Sequence, residues 1–434
     1  GVNLSIPGSL AFNQNGSSNT SPSTKATVSN IRGTAIKGLT VTATEGADAG
    51  AYAGSLGIAA NPMDPTAPPP TSTSVAATFG FSVAINDLKA GSQAELAGST
   101  LTTTTGAPIT IKASTKDVDL QTVSISASGS GADSTKGTGL GAYAIAGSGA
   151  GAENSYSSPI TARISGSTIN APATGTGAAL TIDATSDEQV LAVTGGVDVA
   201  VALAGTTGTA GAISVGASAS HNTLSGGIGA QVSGDSTITG QSLTVTGTDG
   251  SSIGAYAIAG SVSVSSGALG SAFGGALVGA GTGNKIDRSL DARIGDPNAS
   301  AAGTGIISIA DATIRARRSE KSRIIADAAG AAIALARSNS GSAMTAGIAG
   351  AFSFNTISGG VTAGVYNIAD FTATSSTTIE ALAERGSGGS NIDTLSGGFA
   401  VSVNQSGTGS AGGVSLGLVV ARNTITDPLT AKIK

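Results

Sequence analysis

Residues 154–169 read NSYSSPITARISGSTI, and the same skeleton returns along the whole chain. An Asn closes a run of small apolar residues, and ten residues later comes a branched or leucyl apolar residue with Ala two before it. The Asn positions are Asn86, Asn154, Asn222, Asn284, Asn355 and Asn423. The apolar positions are Leu96, Ile164, Val232, Ile294, Val365 and Ile433, preceded by Ala94, Ala162, Ala230, Ala292, Ala363 and Ala431. By subtraction the Asn residues are 68, 68, 62, 71 and 68 apart. A fixed period of this kind marks a stacked repeat architecture rather than a set of independent globules.

Each unit continues with short alternating segments. One is Ser99-Thr100-Leu101, matched by Ser167-Thr168-Ile169 and Ser236-Thr237-Ile238. The next runs Ile109 to Ala113, Leu180 to Ala184 and Leu243 to Gly247, with an earlier copy from Leu39 to Ala43. Period-two alternation bounded by Gly, Ser, Asn and Pro is the signature of strands. Gly, at 66 residues, costs about 1 kcal/mol against Ala inside a helix and so opposes an α-helical reading.

Composition narrows the class further. The hydrophobic content is 40% and the net charge is only −5, so the chain lacks the high charge and low hydrophobicity of disorder. Gly does not fall at every third residue, which excludes collagen. The sequence pI of about 4.9 gives no footprint for nucleic acid. No uninterrupted apolar stretch predicts a membrane span. Absence of Cys removes disulfides and thiolate metal sites, and a single His, His221, leaves no basis for a His cluster. The first residue is not Met and no signal-like segment opens the sequence, so a mature, trimmed or partial chain is expected.

These observations predict an all-β, elongated, right-handed parallel β-helix running continuously over 1–434. Its repeat turns are placed near positions 18, 86, 154, 222, 284, 355 and 423. The octapeptide GAYAIAGS occurs at 141–148 and again at 254–261, in phases that differ by 21 residues. Read as equivalent rungs, they predict about three rungs per repeat of about 68 residues, and some nineteen rungs in a rod roughly 90 Å long at the spacing of paired strands. The long runs are small or apolar on both parities, which predicts an outer face able to associate with a second layer or molecule.

The pattern of small-apolar run, Asn-Thr turn, Ala-x-Ile, Ser-x-Ile and alternating strand resembles the β-strand repeats of bacterial leukotoxin-family and filamentous haemagglutinin-like adhesins. Phe354-Asn355-Thr356-Ile357 and Arg422-Asn423-Thr424-Ile425 carry it most clearly. The resemblance implies a secreted, cell-surface β-solenoid stalk or fibre, with no catalytic residues.

Candidate sites are few. The Asn residues are expected to be structural turns. Arg315, Arg317, Arg318, Glu320, Lys321 and Arg323 form the one dense charged cluster, and Arg315 and Arg317 share strand parity. They are candidates for contact with an acidic glycan or a partner, or else a solubilising edge. The insertion 61–74, with Pro68, Pro69 and Pro70 at its centre, is expected to leave the solenoid as a stiff loop. Asp287, Asp291 and Asp296 are the nearest approach to an oxygen-ligand calcium site, yet a solvated loop is the reading favoured. His221 is expected on a turn or surface. No cofactor is indicated. Expected partners are other copies of the chain, in fibres or side by side, and a surface glycan. An enzyme is not expected.

Overall fold

The structure is a computed structural model that describes residues 2–15, 23–61, 73–104, 106–136, 140–171, 178–385 and 391–434. Among these residues every regular element is a strand, and every ladder is parallel. The coil that begins at Ala142 shows the plan. A long strand, Ala142–Ser157, is followed by the short strands Ile160–Ser165 and Thr168–Asn170, then Ala179–Ser186, then a second long strand, Glu188–Ala204. The next coil opens at Ala210, directly beside Ala142.

Four sheets result. Two are built from the long strands and two from the short ones. The first long sheet contains the strands that start at Ser74, Ala142, Ala210, Ala272, Ala343 and Ala411, with Val2–Ser5 and Gly8–Asn15 at its beginning. The second long sheet contains Asp48–Asn61, Val118–Ser134, Glu188–Ala204, Ser252–Gly267, Arg323–Ser338 and Ile392–Ser406.

The expected three rungs per repeat is corrected by the pairing. Ala142 pairs with Ser74 and with Ala210, so one repeat is one coil. The two GAYAIAGS copies are not successive rungs. The copy at 141–148 enters the first long sheet and the copy at 254–261 lies in the second. They suit both places because each long strand forms one wall of the same thin blade and turns small residues inward. The stack is correspondingly short: six steps separate Lys25 from Thr430 along one ladder, about 29 Å at 4.8 Å per step rather than the expected 90 Å.

The core has two compartments. Between the short sheets, Leu96, Ile164, Val232 and Ile294 pack with Ile111, Ile182, Val245 and Ile314 in an aliphatic lobe of branched residues and alanines. Between the long sheets the inward residues are mostly Ala, Ser and Gly, and the sheets approach closely. Ser124 and Ser126 reach across the blade and donate to the carbonyls of Ser82 and Gly80, both at 2.8 Å. A Cβ added at Gly196 would stand 2.7 Å from the Ala217 carbonyl oxygen, so glycine there is a requirement of close approach. Leu120, Tyr156, Val190, Leu224, Ile253 and Ile286 fill the waist between lobe and blade.

The six Asn residues are not turns. Each lies inside a long strand with its side chain in the blade, where the amide Nδ2 of one coil donates to Oδ1 of the next. The distances from Asn86 through to Asn423 are 2.9, 2.8, 2.9, 2.8 and 3.0 Å, and Asn13 begins the ladder by donating to Asn86 at 3.0 Å. A carboxamide carries donor and acceptor at opposite ends, so it can repeat along a strand-spaced axis without a mismatch. The turn preference of Asn concealed this use. Position 18 falls outside the described residues.

Candidate functional site

The charged cluster of the sequence is divided by the fold. Arg315 and Arg317 do share a face, the outside of a short sheet. There Arg315 Nε meets Glu380 Oε2 and Arg317 Nη2 meets Glu384 Oε2, each at 2.6 Å. Both pairs link neighbouring coils and are part-exposed, where an ion pair contributes less than about 1 kcal/mol. Lys321 stands 3.4 Å from Asp187 at a solvent-facing turn, and Arg323 borders the same shallow depression with Glu320 and Gln189.

Arg318 turns the other way. Its side chain is buried at the waist, with Nη1 2.6 Å from Asp249 and Nε 2.7 Å from Asp427. A second buried pair lies beside it: Arg288 Nη2 to Glu188 Oε2 at 2.6 Å. The two arginines are joined through the Arg288 carbonyl, which accepts from Arg318 Nη2 at 2.9 Å. Ser251 completes the column by donating to Asp249 at 2.6 Å and receiving Arg288 Nη1 at 3.2 Å. Burial pushes the Glu188 carboxyl above its usual range, and the charge of Arg288 opposes that rise without cancelling it. This column is a structural clamp between lobe and blade. Arg318 is therefore not available to a ligand, in contrast with its expected place in an exposed cluster.

Asp198 is a further buried charge that the sequence reading did not single out. It lies in the blade and accepts from Ser128 at 2.6 Å, on the next strand of its own sheet, and from Ser148 at 2.9 Å, on the facing sheet. Burial raises its pKa to about 6, and the two serine hydrogen bonds only partly oppose this. Its folded pKa lies above its unfolded value, so the folded state holds the proton more tightly. Stability is full below about pH 4 and is lost as pH rises through about 6. We expect Asp198→Asn to be more stable than the parent at pH 7 by about 2–3 kcal/mol, with the advantage gone near pH 4. Thermal melts at the two pH values check this. An equal shift at both would contradict it.

The other candidates are dispersed. Asp287 is held by Lys285 at 2.6 Å and by the Ser358 hydroxyl at 3.0 Å, whereas Asp291 is paired with Arg293 at 2.9 Å. Among the described residues no group of three His, Cys, Asp or Glu side chains could hold a metal. His221 lies on the outer face of the first long sheet, its Nε2 3.2 Å from the Thr223 hydroxyl. Pro68, Pro69 and Pro70 lie outside the described residues. The described residues that flank them, Asn61 and Ser74, end and begin long strands as Ala204 and Ala210 do on either side of 205–209. No family model, curated protein or solved structure matches the chain.

Among the described residues no helix is long and apolar enough to cross a membrane. A polar depression open to solvent lies beside the lobe, between Arg163, Gln231, Arg293 and Asp296. Arg163 is committed to Glu95 at 2.8 Å and Arg293 to Asp291. A parity count would have found Asp198: it alternates inward with Ala192, Ala200 and Ala202, so its carboxylate had to enter the blade.

Proposed function

We propose that the chain is a structural segment of a secreted bacterial surface adhesin of the leukotoxin-family or haemagglutinin-like kind, serving outside the cell as stalk or filament. The observation that carries this reading is the continuous parallel stack, in register throughout the two long sheets, with its Asn ladder. Every backbone ladder runs along one axis, so tension or shear is shared by hydrogen bonds of all four sheets. The winding is right-handed in this reading, as parallel strand crossovers overwhelmingly are. Low charge and absence of Cys fit an exported repeat array that folds by adding coil to coil.

Electron microscopy of the protein isolated from its source, across a dilution series, tests the proposal. Fibres of uniform width support the filament form, and short separate stacks support the stalk. Compact globules would overturn both.

A second reading is favoured by Arg315 and Arg317, whose outer-face guanidinium groups could receive an acidic glycan if their glutamate partners were displaced. Under the structural proposal, Arg315→Ala combined with Arg317→Ala changes stability by less than about 2 kcal/mol in total and leaves adhesion unaltered. A tenfold loss of binding to an acidic glycan array, at unchanged folding, would move the function to this face.

A further inference from the structure

The outer face of the first long sheet is apolar over an unusual width. Tyr143, Val215, Leu277, Met344 and Val414 project from it with 39–63% of their surface exposed. At some of its glycines an outward aromatic ring lies down over the backbone. The ring carbons of Phe79 and Tyr143 come within about 3 Å of where a Cβ would stand on Gly147 and Gly211. Five strands, those starting at Ala142, Ala210, Ala272, Ala343 and Ala411, give an apolar band eleven residues long. At 3.3 Å per residue and 4.8 Å per strand that is about 800 Å². An exposed apolar patch on a monomer is usually about 300–600 Å², and one side of a stable protein interface is about 800 Å².

Within this band only Glu153 and Arg422 carry a full charge. They occupy one register column, Glu153–His221–Gly283–Phe354–Arg422, at its two ends. The central strand of the five, Ala272–Asp287, is also the most open. Its outward positions include Gly275, Gly279, Gly281 and Gly283.

We propose that this face binds a second copy of the chain, about a two-fold axis that lies along the central strand. Such an axis preserves the position along the strand and reverses the order of coils. It sets Glu153 of each copy against Arg422 of the other and brings the glycine-lined strands together where the sheets are closest. The outer face of the second long sheet is also apolar, with Ile125, Val197 and Ile258 exposed, but Asp327 stands within its band rather than at one end of it. The proposal rests on the structural reading above and deepens it by naming the lateral contact.

The chain has no Cys, so single-cysteine variants report contacts without background. Gly279 has nothing within 4 Å of an added Cβ, and neither does Gly129 on the second long sheet. Treated with a short bis-maleimide at micromolar protein, Gly279→Cys is expected to give covalent dimer at least tenfold faster than Gly129→Cys. Glu153→Arg should weaken the dimer about tenfold at low salt, and Glu153→Arg with Arg422→Glu should restore it. Equal or absent cross-linking at Gly279 overturns the proposal, as does flotation of monomeric protein with phosphatidylcholine vesicles. Fibres by microscopy without a Gly279 cross-link would refute this face while leaving the filament reading. A Gly279 dimer without fibres would do the reverse.

Discussion

Arg288→Met is expected to destabilise the fold by about 3–5 kcal/mol, the cost of leaving its partner charge buried and alone. The guanidinium reaches Glu188 at 2.6 Å, the Ser251 hydroxyl at 3.2 Å and the Ser225 carbonyl at 3.3 Å, and neither charged side chain has exposed surface. Water cannot replace the lost partner there, so Glu188 must take up a proton or pull the waist open. The paired variant Glu188→Leu with Arg288→Met removes both desolvated charges and is expected to recover most of the loss. Guanidinium chloride unfolding of the three proteins checks this. If the double variant were no more stable than Arg288→Met, the pair would not be the source of the effect.

Asn222→Ala is expected to cost about 3 kcal/mol. Asn222 accepts from Asn154 at 2.8 Å and donates to Asn284 at 2.9 Å and to the Gly254 carbonyl at 3.0 Å. Each hydrogen bond contributes about 1 kcal/mol, and the groups left behind are buried. Asn423→Ala should cost less than about 1 kcal/mol, because the last coil is exposed to solvent and its orphaned partners can be hydrated. Asn222→Asp separates the ladder from simple packing. A carboxylate has the right shape but no donor, and it would face the Asn284 oxygen and the Gly254 carbonyl. Its loss should exceed that of Asn222→Ala at pH 7 and shrink in acid, where the protonated group can donate once. Unfolding midpoints at pH 4 and pH 7 decide the matter. Equal losses at positions 222 and 423 would mean that the ladder adds nothing beyond local packing.

What could be read from the residues divides along physical lines. The repeat and its strands were legible because alternation and spacing are properties of the chain itself. Ala-x-Ile at 162–164 and its counterparts are inward-facing segments of one short sheet, as their pattern implied. The number of strands per coil was not legible. The two long walls of the blade carry interchangeable Ala-Gly-Ser sequences, so similarity of sequence reported similarity of environment rather than adjacency in the stack. The Asn ladder was misplaced for a related reason: the amide satisfies a turn or a ladder equally well, and only the register decides between them. The charged run at 315–323 was visible, but its division was not. Arg317 and Arg318 are consecutive and point to opposite faces, one outward to Glu384 and one inward to Asp249 and Asp427, and Asp427 is 109 residues away in sequence.

One coil per repeat is the claim on which the ladder, the clamp and the lateral face all depend. The most direct test is the distance between spin labels placed at Lys25→Cys and Thr430→Cys in this cysteine-free chain, measured by double electron–electron resonance. Both positions are exposed on the short-sheet side, away from the apolar faces of the blade. Six ladder steps separate them, which predicts a single distance of about 29 Å, broadened by the label arms. A distance of about 86 Å, the value for three rungs in every repeat, would contradict the account.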